Sequence, residues 1–195
     1  MSNSKFLLLG FLFFGCNRMD TGAKGYMAAW QKTKNTVSAT SRNKDIEMTL
    51  TYLPTDYLVI NDVGAEIKQR DYDKSVGSFC DHIYCTLKIR NDNAAKQQTA
   101  MDIPKYFAHD RQRQIFGIHG ADDTLRCVMY QPELIGNKAL ETTVNLVFNR
   151  PLNQKCGMPL ESDFTCLFKM LDSTNSEIRL TINKNAINQL PKLKF

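Results

Sequence analysis

The sequence predicts a mainly β protein, built as an antiparallel β-sandwich, and three observations carry the prediction. Apolar and polar residues alternate with a period of two along 46–52, 79–90 and 144–148, as in strands that turn one face to a core and the other to water. Stretches rich in turn formers, His119-Gly-Ala-Asp-Asp-Thr124 and Asp172-Ser-Thr-Asn-Ser176, separate neighbouring strand candidates and read as hairpin loops. Little of the body carries sustained helical periodicity. Its hydrophobic and charged contents, 43% and 23%, are those of a globular chain that can bury a core without disulfides.

The chain opens on Lys5 followed by Phe6–Phe14, an apolar run interrupted only by Gly10. A charged start and a short apolar stretch form an export signal. As a helix this stretch rises only about 14 Å, against roughly 30 Å of bilayer hydrocarbon, so it is too short to span. Phe13-Phe14-Gly15-Cys16 follows, and Gly15-Cys16 resembles the lipobox of bacterial lipoproteins, with Phe13 and Phe14 standing where that family carries aliphatic or small residues. The resemblance implies cleavage after residue 15, lipid attachment at Cys16, and a place in the bacterial cell envelope, at the outer membrane. Several acyl chains on one cysteine suffice for stable anchoring, so the body needs no embedded surface of its own.

Residues 16–45 are polar, lack alternation, and read as a lipid-anchored flexible tether with a reach of about 25 to 30 Å. The single domain is then 46–195. Its first strand is Ile46–Pro54, with Ile46, Met48, Leu50 and Tyr52 on one face. Thr55–Asp73 reads either way, as short strand or helical turns. Phe79–Arg90 is a second strand, irregular where Asp81 interrupts its inward face. A short helical insertion is expected over 94–113. Ile115–Ile118 and Leu125–Tyr130 form a hairpin, Leu140–Phe148 a further strand, and Phe164–Leu171 with Ile178–Ile182 a closing hairpin. The polar tail from Asn183 is expected to fray. About seven consecutive strands joined in this way fit an immunoglobulin-like or transthyretin-like sandwich.

Six cysteines in an exported chain can form disulfides, and Cys156 with Cys166, flanking a Gly-Met-Pro loop, is the pair favoured by position. Their spacing matches no zinc finger or ribbon, and buried thiols are expected for most of the rest. Each of the three histidines has an acidic residue nearby, His82 after Asp81 and His109 before Asp110, but only His119 shares a turn with two, so His119, Asp122 and Asp123 form the candidate metal or catalytic group. A polar hairpin turn accounts for the same residues. Serine-nucleophile, phosphate-loop and dinucleotide motifs are missing. The net charge of +5 is scattered rather than clustered, which argues against nucleic acid.

The expectation is therefore a non-enzymatic, cofactor-free envelope component, held to the membrane by its lipid, that meets a protein partner through loops or an edge strand. An envelope hydrolase or metal-dependent enzyme built on the His119 loop, and a small-ligand carrier, are the alternatives.

Overall fold

The structure, a computed structural model, describes residues 20–43, 46–91, 112, 114–120, 123–133, 141–151, 160–169 and 177–195. The export signal, Cys16, the insertion expected over 94–113 apart from Gln112, Asp122 and Cys156 lie outside the described residues.

The chain is mainly β. Eight antiparallel strands form one sheet, ordered β2 (Ser38–Asn43), β3 (Ile46–Leu53), β4 (His82–Asn91), β7 (Glu141–Asn149), β6 (Asp123–Pro132), β5 (Ile115–His119), β8 (Phe164–Lys169) and β9 (Glu177–Ile182). Period-two alternation explains the sheet directly: Met48, Leu50, Tyr52, Ile83, Cys85, Leu87 and Ile89 all point into one core. The expected pairings of β5 with β6 and of β8 with β9 are both present.

The sheet is continuous where two separate layers were expected, and the physical reason lies in β6. Its first half pairs with β5 and its second half with β7, with a register shift between Cys127 and Met129. A bulge of this kind bends the strand and lets one strand serve both halves. The sheet thereby curls on itself until β2 lies against β9 and closes almost completely. Phe148 of β7 meets Phe164 of β8 edge-on across the interior, ring centroids 5.3 Å apart.

Helices α1 (Ala23–Thr33), α2 (Thr55–Val63), α3 (Gln69–Cys80) and α4 (Lys184–Asn188) flank the sheet. The flexible tether expected over 16–45 is corrected here, because α1, a 3-10 turn at Lys34–Val37 and β2 occupy most of it. Tyr26 and Trp30, four residues apart and so on one face of α1, are buried with Val37 in the same core as the strands. β2 lacks apolar alternation, yet it is held by a full register to β3 and by hydroxyl pairs, Ser38 with Thr51 at 2.8 Å and Thr40 with Thr49 at 3.0 Å.

Asp81 does not interrupt a strand. It caps α3, which ends on Cys80, and β4 begins one residue later. The tail is also ordered where fraying was expected. Asn183 caps α4 through its side chain, Leu190 is buried, and Lys192–Leu193 (β10) runs parallel to Asp20–Thr21 (β1). Asp56 at the start of α2 joins these parts, accepting hydrogen bonds from the Tyr72 hydroxyl at 2.6 Å and the Leu193 amide at 3.1 Å.

Candidate functional site

The outer face of β2, β3, β4, β7 and β6 is ordered by register into rows of side chains. One row, Leu53, Tyr84, Val147 and Met129, is apolar and aromatic. The next, Ser38, Thr51, Thr86, Asn145 and Gln131, consists entirely of neutral hydrogen-bonding groups. Beyond it come Thr40, Thr49, Lys88 and Thr143, with the Glu133 amide donating to the Thr143 carbonyl at 2.8 Å. The last row, Arg42, Glu47, Arg90 and Glu141, alternates in sign.

Over the first three rows lies an open groove of about 700 Å³. Its helical wall comes from α1 and the 3-10 turn, through Trp30, Gln31, Lys34 and Asn35, and from α2, through Tyr57, Leu58 and Asn61. Trp30 and Tyr57 lock that wall with rings 5.2 Å apart. Tyr84 is steadied by edge contacts to Phe79 at 5.7 Å and to His82 at 6.1 Å. Burial, and then the Asp81 carboxylate, push the Tyr84 hydroxyl up, so it remains a hydrogen-bond donor at neutral pH. Lys88 is held by Glu141 at 2.8 Å and Arg90 lies 3.7 Å from Glu47, which balances the charged end of the face.

The second cluster is at the C-terminal end of β5. His119 is only 7% exposed, its Nε2 lies 2.9 Å from the Ser162 hydroxyl, and its Nδ1 lies 3.9 Å from an oxygen of Asp123. Gly120 makes the turn after β5 with φ +70, a left-handed backbone that suits glycine, and its amide reaches the Asp163 carbonyl at 3.5 Å. Asp163 in turn accepts the Lys184 amide at 2.8 Å. Desolvation holds the His119 imidazole below its ordinary value, opposed by Asp123 and Glu161 and reinforced by Arg150. The ring is therefore neutral at pH 7 and can accept the Ser162 proton or donate to it.

Of the residues expected to act together, the structure brings His119 and Asp123 to the same turn and adds Ser162, which no sequence motif marks. Among the described residues no group of three or more His, Cys, Asp or Glu is placed to hold a metal ion. The expected Cys156–Cys166 bridge is corrected: Cys166 is a free thiol, completely buried opposite Gly117. Cys80 is disulfide-bonded. Cys85, Cys127 and Cys166 are buried free thiols, and burial pushes Cys127 up to about 11 and the other two up as well. Tyr57 lines the groove, whereas Tyr72 is engaged with Phe195, ring centroids 5.3 Å apart. No helix among the described residues is long and apolar enough to cross a membrane.

No known protein family matches the chain, and no curated protein matches it. Among solved structures it is similar to a protein of unknown function from Burkholderia pseudomallei, at 10% identity and a TM-score of 0.41 over 89% of this chain and 95% of that one.

Proposed function

We propose that the chain is a lipid-anchored component of the bacterial cell envelope, attached through Cys16, that binds a partner or ligand in the groove on the outer face of the sheet. The groove carries the reading. It is a concave surface walled by two helices, with side chains held in fixed rows by the sheet, and such a surface presents recognition groups with little entropy left to lose on binding. Contact through a sheet edge is less favoured, because β2 and β9 lie against one another at the closure.

Two measurements test the proposal. A photocrosslinking residue at Gln131, inside the groove, is expected to capture a discrete species in envelope preparations, whereas the same residue at Arg179, exposed on β9, is expected to capture none. Equal capture at both positions, or at neither, overturns the groove. Cys16→Ser is expected to release the protein from the membrane fraction, and unchanged membrane retention overturns the lipid anchor.

A second reading, an envelope hydrolase, is favoured by the Ser162–His119–Asp123 arrangement, in which the serine faces one ring nitrogen and the carboxylate the other. A fluorophosphonate probe that modifies Ser162 in the native protein, and fails to modify His119→Asn, would support it. Absence of labelling at Ser162 excludes the serine as an activated nucleophile.

A further inference from the structure

We infer that the groove's ligand is a neutral oligosaccharide, an inference that rests on the groove being a binding site. The central row Ser38–Thr51–Thr86–Asn145–Gln131 offers hydroxyls and amides, groups that both donate and accept, and no formal charge. A sugar hydroxyl likewise donates and accepts; Ser38 donates to the Lys34 carbonyl and is bonded to Thr51, which leaves these two oxygens to accept, while Thr86, Gln131 and the Asn145 side-chain carbonyl remain for a polyhydroxylated chain. Five strands about 4.8 Å apart spread the row over roughly 19 Å, the length of several pyranose rings. Beside it stands the apolar row with the Tyr84 ring, a surface for the C–H face of a sugar.

Other ligand classes fit less well. The charged residues lining the groove are Lys34, Lys88 and Glu133; Lys88 is paired with Glu141, and Glu133 accepts the Asn145 amide at 3.2 Å. A polyanion would require an unpaired basic track instead. A lipid tail would require an enclosed apolar cavity, whereas this groove is open and two of the three rows in its floor are polar. An extended peptide binds by adding a strand to a free sheet edge, but β3, β4 and β7 are interior strands with their backbone groups already paired.

Trp30 is the only tryptophan and stands in the groove wall, so its emission reports occupancy without a label. The probes are three neutral hexasaccharides, maltohexaose, cellohexaose and chitohexaose, with oligogalacturonate as the acidic counterpart. At least one neutral hexasaccharide is expected to shift Trp30 emission saturably, with an affinity insensitive to salt and better than that of oligogalacturonate. Tyr84→Ala and the near-isosteric Thr86→Val are each expected to weaken it about tenfold or more, a change of about 1.4 kcal/mol, in protein whose thermal melt shows it is folded. Stronger binding of the acidic oligomer, or binding indifferent to both variants, overturns the inference. Failure of every hexasaccharide with the Gln131 crosslink retained removes the ligand class and leaves the groove; failure of both removes the groove as well.

Discussion

Gly117 sits in the middle of β5 with ordinary extended backbone, so its role is space. A methyl group there would lie 2.9 Å from the Phe164 ring, 3.1 Å from Phe148 and 3.2 Å from Leu125. Gly117→Ala is expected to destabilise the fold by about 1–3 kcal/mol through overpacking, read from the midpoint of urea denaturation. Neither phenylalanine is near Gly117 in sequence, so nothing in the local pattern Ile115-Phe-Gly-Ile118 reveals the need. His119 was legible as a candidate because acidic residues follow it; Ser162 was not, since 43 residues separate the two and only the pairing of β5 with β8 brings them together. The imidazole gives a pH prediction with a definite sign. Its folded-state value lies below the ordinary 6.5, so the unfolded chain takes up the proton first. The stability this contributes is complete above the ordinary value and is lost as pH falls through the folded one. Urea midpoints should therefore drop between about pH 7.5 and about pH 5, and less steeply in His119→Gln, which an equal slope in the two proteins would contradict.

At the scale of elements, strands were readable and helices were not. A strand half in water and half in a core writes its period into the sequence, and β3, β4 and β9 follow such alternation closely. The segment holding α1 has mostly small and polar residues, and its two anchors, Tyr26 and Trp30, gain meaning only from the core they enter. β2 borrows its conformation from β3. α2 and α3 were ambiguous for a related reason, since only Val59, Ile60 and Cys80 among their residues are buried. What fixes these helices to the chain's end is Asp56, whose two oxygens serve α3 and the C-terminal segment separately. Asp56→Ala is expected to cost about 1–3 kcal/mol and to release the Leu193 amide. Hydrogen exchange checks it: protection at 189–195 should fall sharply while that of β4 and β7 stays unchanged.

For the whole molecule, antiparallel β structure was legible from consecutive hairpins, but closure was not, because alternation looks the same in a flat sheet, a sandwich and a curled one. Cys85, Cys127 and Cys166 sit on β4, β6 and β8, on both sides of the bend in the sheet, and all three are buried. They serve as internal reporters of closure. With their thiols held well above neutrality, they should resist a disulfide reagent at about pH 8 and become reactive together as denaturant unfolds the sheet, followed by mapping the modified peptides. Reaction of one ahead of the others would show that the two halves open independently. The step in register between Cys127 and Met129 has a consequence for how this chain can change. Before it, Leu125 and Cys127 point inward; after it, the half-buried Tyr130 takes the inward side, while Met129 and Gln131 face the groove. The extra residue, Val128, sets the phase of the remaining strand: paired without the bulge, the same sequence would turn Gln131 toward the interior and Tyr130 toward solvent, whereas deletion of Val128 would remove the bulge and leave both faces as they are. What the extra residue supplies is the bend in β6, and with it the closure of the sheet, a role carried by backbone alone, since the Val128 side chain is exposed to water.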